Sequence, residues 1–305
     1  MEIIPLILII LICATLLLGY PVAFTLSGVS ILFALACIPF GIFDASIFKS
    51  IPIRIFGIMN NVTLLAVPLF IYMGTILERS GIAAQMLKNM AAAFKNVRGG
   101  LSISIIFVGA LLAASTGIVG ATVVTMGLMS LPIMMQQGYR KDFASGLVAS
   151  TGTLGQIIPP SIALVLLGDV MSNAYQRAQN DMGIFSQKTV TVGDLFIGAI
   201  IPGAMICLGY LLYTIYKNFE NKNIISDKNT LSISRIEMMK TLGLPLSLIF
   251  IVLGSIIAGI ATPTEASALG AMGALIISAI NGKINADFIR ETSQKTAIVS
   301  SMIFA

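Results

Sequence analysis

The sequence predicts an all-α polytopic membrane protein, and three observations carry that expectation. Hydrophobic residues make up 57% of the 305, charged residues only 10%, and mean hydropathy is +0.97; a soluble domain carries about 25% charged residues. Apolar runs long enough to cross a bilayer recur along the chain. Finally, 41 residues between Arg98 and Arg140 hold no charge, yet their middle reads Ala114-Ser115-Thr116-Gly117-Ile118-Val119-Gly120-Ala121-Thr122. A helix bound for the far side of a bilayer has no reason to turn polar halfway. One that dips in, breaks and returns has open backbone groups at mid-depth, able to hold an ion or a substrate.

The elements follow in order. Apolar sequence from Ile3 to Phe40 lacks a positive n-region and a cleavage signal, so it is not a removable leader. Its 38 residues would span about 57 Å, nearly twice the hydrocarbon core. Gly19-Tyr20-Pro21 is the place to bend, giving helices near 3–18 and 22–40. Residues 45–59, with Lys49 and Arg54, read as interfacial, and 61–77 as a clean span. In 81–98, Ile82, Met86, Met90 and Phe94 oppose Lys88, Lys95 and Arg98, the pattern of an amphipathic helix on the membrane surface. A re-entrant hairpin is expected over 101–137 and a discontinuous helix over 142–172. Further spans lie near 193–216, 241–260 and 264–281, and an apolar segment begins at Thr296.

Charge orients this layout. With the N-terminus outside, segments 79–100, 138–142, 217–240 and 283–295 are cytoplasmic and hold 14 of the 18 Lys/Arg; Lys49, Arg54, Arg177 and Lys188 lie outside. Leu101 to Ala114 covers only about 21 Å, too short to cross the core, which favours a hairpin over two full spans.

Composition also excludes. There is no histidine, which removes HExxH metalloproteases and histidine acid–base chemistry. No Ser–Lys or paired-Asp arrangement lies inside the spans, so an intramembrane hydrolase, or any enzyme, is a poor reading. Cys13, Cys37 and Cys207 sit unpaired in apolar runs and read as packing residues. A net charge of +5 without a compact basic domain argues against nucleic acid.

An internal repeat suggests a transporter. Gly19-Tyr20-Pro21-Val22-Ala23-Phe24-Thr25-Leu26-Ser27-Gly28 resembles Thr262-Pro263-Thr264-Glu265-Ala266-Ser267-Ala268-Leu269-Gly270, and amphipathic stretches Ala45–Phe56 and Ala286–Lys295 follow the two copies. The first copy starts outside and the second inside, the inverted arrangement of many secondary transporters.

At the hairpin tip, Ser115, Thr116, Gly117, Gly120 and Thr122 offer hydroxyls and open-turn carbonyls, hard donors suited to Na⁺; small residues that allow close helix packing are the plainer reading. In Thr151-Gly152-Thr153-Leu154-Gly155-Gln156-Ile157-Ile158-Pro159-Pro160-Ser161, the two prolines remove backbone donors. Carbonyls near Gln156 and Ile157 are then expected without helical partners and able to complete an ion site, against a simple proline kink. Glu265 falls in the first turn of a helix after Pro263, so a coupling role and a helix-capping role both fit.

Gly120-Ala121-Thr122, Leu131-Pro132, Gly138-Tyr139, Gly152-Thr153-Leu154-Gly155 with Ile158-Pro159-Pro160-Ser161, and Gly259-Ile260-Ala261-Thr262-Pro263-Thr264-Glu265-Ala266 together resemble the large membrane subunit of TRAP transporters (DctM type) over essentially the whole chain. The resemblance implies an elevator-type, Na⁺-driven secondary transporter of the bacterial inner membrane. It implies a small membrane subunit (DctQ type) and a periplasmic solute-binding protein (DctP type) as partners. The cargo would be an organic anion such as a C4-dicarboxylate, a 2-oxo acid or sialic acid, with no cofactor beyond the coupling ion. Carried over, scaffold helices fill 1–80, an arm helix 81–98, a transport domain 99–217, a cytoplasmic loop 218–240, and the start of a second scaffold repeat 241–305. Na⁺ would be held by Ser115, Thr116, Gly117, Gly120, Thr122, Thr151, Gly152, Gly155 and Pro159, and substrate by Ser115, Thr153, Pro160 and Ser161. The family also carries a second hairpin and a second broken helix, which this sequence lacks, so a fragment or one part of a split protein is expected. A Na⁺-coupled anion transporter working without a binding protein, and an ion channel with re-entrant loops, are the alternatives.

Overall fold

The computed structural model describes residues 3–97, 99–116, 119–184, 186, 188–220 and 235–304, and every regular element among them is helical. Two compact units form: Met1–Asn61 with Ile298–Ala305, and Val62–Ala297.

In the first unit, α1 (Ile3–Leu16) stops where glycine and proline predict. Gly19 takes a left-handed φ of 83°, and Pro21 stands at the N-cap of α2 (Val22–Cys37). Short 3₁₀ turns at Ile38–Phe40 and Ala45–Lys49 lead to α3 (Ser50–Met59). The second turn is capped by Asp44, whose Oδ1 accepts from the Ser46 N–H at 2.8 Å. Only Thr25 of α2, and nothing in α1, is buried. An apolar surface of this extent is what helices bathed in lipid present.

The second unit is organised by a seam of small residues. Helix α4 (Ala66–Arg79) buries Ala66, Val67, Phe70, Ile71, Met73 and Ile76. It packs along α12 (Pro263–Ile280), whose buried stripe is Ala266, Gly270, Ala274 and Ser278. Four-residue spacing places these on one face, and their size lets backbones approach without a hydrophobic drive between helices in lipid. At Gly270, a Cβ would lie 2.6 Å from Met73 Sδ and 3.1 Å from Val252 Cγ2 of α11 (Arg235–Ile257).

Helix α5 (Ile82–Ala93) is shorter than the expected 81–98 and is covered differently. Its apolar face, with Ile82, Met86 and Leu87 buried, packs on α6 (Gly100–Thr116) and α11, while Lys88 is exposed. The amphipathic pattern is right, but protein covers the face expected to meet lipid. The chain then runs through α7 (Val119–Gln136), α8 (Lys141–Thr153), a 3₁₀ turn Leu154–Gln156, α9 (Ile162–Asp181) and α10 (Val192–Glu220). After α12, the amphipathic and apolar stretches read separately at Ala286–Lys295 and from Thr296 form one continuous α13 (Ala286–Phe304). No glycine or proline stands between them to stop it.

Among the described residues, four helical stretches are long and apolar enough to cross a membrane: Val22–Phe40, Val62–Arg79, Val192–Glu220 and Pro263–Ile280. Shorter apolar helices at Gly100–Leu112 and Thr122–Gln136 flank the polar centre of the uncharged run.

Candidate functional site: a broken helix held by two helical arms

Helices α6 and α7 face each other across the polar centre; their ends leave only 117–118 between them. Gly117 and Ile118 lie outside the described residues, as do the side chains of Ser115 and Thr116 at the end of α6. On the far arm, Gly120 is exposed and Thr122 is buried.

The break between α8 and α9 seats against both arms. A Cβ on Gly109 of α6 would lie 2.8 Å from the Thr151 Cβ. On Gly152 it would lie 2.2 Å from Val123 Cγ2 and 3.2 Å from the Val123 Cα. Two missing side chains thus wedge Thr151–Gly152 between α6 and α7, one residue along from Thr122. Thr151 is fully buried, and its hydroxyl donates to the Leu147 carbonyl at 2.9 Å, leaving oxygen lone pairs for a cation. Gly155 is buried in the turn that packs on α6, and Pro159 and Pro160 are buried after it. Thr153 is exposed, its hydroxyl donating to the Ser150 carbonyl at 2.7 Å. The break thus meets α6 at Gly109 and α7 at Val123, the neighbour of Thr122, while Gly120 and Thr153 are exposed.

One expectation about the break needs correcting. The Gln156 carbonyl is not left open: the Ser161 hydroxyl donates to it at 2.8 Å while accepting from the Leu164 N–H as the N-cap of α9. A serine placed after the two prolines repairs locally the bond they remove. Gly203 of α10 abuts the Ile158 side chain, bracing the break.

Residues 9–305 match the family described as the DctM component of the tripartite ATP-independent periplasmic transporter. The chain belongs to that family. The DctM family is one of transporters, not an enzyme class. The C4-dicarboxylate TRAP transporter large permease protein DctM of Vibrio cholerae serotype O1 is 32% identical over 292 residues, covering 96% of this chain and 59% of the relative. That of Rhodobacter capsulatus is 30% identical over 270 residues, 88% of this chain and 59% of the relative. The sialic acid TRAP transporter large permease protein SiaM of Vibrio cholerae is 27% identical over 292 residues, 93% and 62%. The chain thus spans about three-fifths of the length of these curated relatives.

Two acidic residues of this DctM-family chain behave differently. Glu265, open to two readings from sequence, closes a capping box: its Oε2 accepts from the Thr262 N–H at 2.8 Å, and its own N–H donates to Thr262 Oγ1 at 3.3 Å. Glu78 lies at the end of α4, outside every motif of the sequence. Its Oε1 accepts from Thr125 Oγ1 of α7 at 2.8 Å and its Oε2 from Lys295 Nζ of α13 at 2.9 Å. The neighbouring Arg79 pairs with Glu291. Local periodicity cannot reveal contacts separated by 47 and 217 positions; the usable signal is Thr125, one helical turn beyond Thr122.

Gly138 and Tyr139 end α7, with the Tyr139 N–H on the Met134 carbonyl at 3.1 Å. Burial pushes the Tyr139 phenol up from its usual range. Beside it, the Arg140 guanidinium lies 2.6 Å from Asp142 and holds that exposed carboxyl below its usual range.

Proposed function

We propose that the chain is the large membrane subunit of a binding-protein-dependent, Na⁺-coupled importer of organic acids, moving its cargo by an elevator motion in the bacterial inner membrane with its N-terminus outside. The supporting observation is the wedge of Thr151–Gly152 between α6 and α7, with Thr122 one residue from the contact. Buried hydroxyls and a broken backbone offer hard, uncharged oxygens, the chemistry that suits an alkali cation. In this reading α6 and α7 form a re-entrant hairpin. Ser115, Thr116, Gly117 and Gly120 at its tip, with Thr122, Thr151, Gly152, Gly155 and Pro159, hold Na⁺. Ser115 and Thr153, the last residue of α8, with Pro160 and Ser161 at the N-terminal end of α9, meet the anion, where the α9 dipole favours negative charge. The names of relatives supply the cargo class, a C4-dicarboxylate or sialic acid. The partners are a small membrane subunit and a periplasmic binding protein.

The test is reconstitution. Proteoliposomes holding a full-length version of the chain and a small membrane subunit, given a binding protein and labelled organic acid, take up substrate only under an inward Na⁺ gradient. Uptake that needs neither the gradient nor the binding protein overturns the proposal. Thr122→Val and Thr151→Val each raise the Na⁺ concentration for half-maximal uptake by about tenfold, the loss expected for one charge-assisted contact. Unchanged Na⁺ activation in both would reduce the wedge to packing.

A further inference from the structure

Three helices meet at one carboxylate. Glu78 sits in the last turn of α4 with its side chain 17% exposed, and each of its oxygens serves a different element. Oε1 holds the hydroxyl of Thr125 on α7; Oε2 holds the ammonium of Lys295 on α13. Arg79 and Glu291 repeat the α4–α13 tie one residue away in the opposite sense of charge. A carboxylate this shielded is costly to leave unpaired, and the Lys295 ammonium 2.9 Å away offsets that cost beside the hairpin arm. With both oxygens engaged, the side chain has one favoured rotamer, and losing either partner frees it to turn.

We infer that Glu78 is a positioning residue: shared between Thr125 and Lys295, it sets the returning arm of the hairpin and makes the placement of that arm depend on the α4–α13 tie. Thr125 lies one turn beyond Thr122, so a fixed Thr125 fixes the rotation of the turn that presents Thr122 to the break. The functional weight of that rotation rests on the reading of the hairpin as the ion-holding element. The linkage between α13 and α7 does not.

The experiment uses the whole chain in lipid nanodiscs with Cys13, Cys37 and Cys207 replaced by alanine. Nitroxides are placed at Val124→Cys and Met272→Cys, both 60% exposed, and the distance distribution between them is read by pulsed electron resonance. The unaltered node gives one narrow distance. Thr125→Val keeps the shape of the side chain and the α4–α13 pair, and raises the displaced population of α7 on the order of tenfold, as expected for losing a hydrogen bond to a charged group. Lys295→Met raises it about threefold, and adding Lys295→Met to Thr125→Val raises it no further, since both act through one side chain. Glu78→Gln keeps an acceptor for Thr125 and restores most of the narrow distance that Glu78→Ala loses. An unchanged distribution in Thr125→Val, or effects of Thr125→Val and Lys295→Met that simply multiply, overturns the inference. Measurements in Na⁺ and in choline separate the two readings. An arm freed by Thr125→Val whose wild-type position ignores Na⁺ leaves the positioning role standing and removes the ion site.

Discussion

The helix pairs α1–α2 and α11–α12 are built on one local plan and reach opposite ends in packing. Each first helix is closed by a left-handed glycine, Gly19 at φ 83° and Gly259 at φ 68°, and a proline opens the next. Each second helix is followed by another left-handed glycine, Gly41 and Gly282, both at φ 66°. Three residues later comes a side-chain cap, Asp44 on the Ser46 N–H and Asn285 on the Phe288 N–H. Yet α2 buries one residue and α12 seven. Local turn chemistry therefore sets where helices start and stop, while burial follows from the neighbour that lies against the small-residue face, as α4 does on α12.

The largest expected effect breaks that face. Gly270→Leu drives a branched side chain into Met73 and Val252, and Gly152→Leu drives one into the Val123 backbone. Each is expected to destabilise the fold by about 3 kcal/mol, the upper end for overpacking. Gly28→Leu in α2 meets nothing within 4 Å and stays within about 0.5 kcal/mol. Unfolding midpoints in detergent decide; equal losses at Gly28 and Gly270 would dissolve the contrast.

The second effect is smaller and falls on both copies alike. Gly19→Ala and Gly259→Ala each place a Cβ on a left-handed backbone and are expected to cost about 1.5 kcal/mol. Because the glycines lie in open space, packing contributes nothing and the two losses should agree.

This division explains how much the sequence told. The bend at Gly19-Tyr20-Pro21 and the proline break after α8 are punctuation written in single residues, and each stands where expected. The wedge was half legible. Glycine and threonine marked the right segments, but only the structure pairs Gly109 with Thr151 and Gly152 with Val123. The carbonyl of Gln156, expected open, is closed by Ser161, because a hydroxyl five residues on can replace a missing N–H. Glu78 was illegible: nothing around position 78 speaks of Thr125 or Lys295, and a charge at a span end is usually solvated. Contacts made across the fold leave no period in the chain.

A third effect separates the copies again. Thr262→Val removes the capping box of α12, and about 1 kcal/mol should go with it. Helix α2 opens on Pro21 without any side-chain cap, so Phe24, three residues on like Glu265, has no such bond to lose. If Thr262→Val and Phe24→Ala shift the midpoint equally, the cap is irrelevant to the second copy's better packing.

The smallest effect distinguishes the caps that follow. Asp44 and Asn285 occupy equivalent places, but only one titrates. The Ser46 backbone N–H, then its side chain, hold the Asp44 carboxyl below the usual carboxylate range, and the group is fully exposed. A depressed folded value means the cap's contribution is present above the ordinary carboxylate pKa and fades as pH falls through the lowered one. Acidification should therefore loosen the turn Ala45–Lys49 ahead of α3 while leaving the start of α13 untouched. Amide exchange at Ser46 and Phe288, followed between neutral and strongly acidic pH, reads the two ends side by side. Asp44→Asn converts the first cap into the second and should abolish the difference; a persistent acid response in that variant would move its origin away from Asp44.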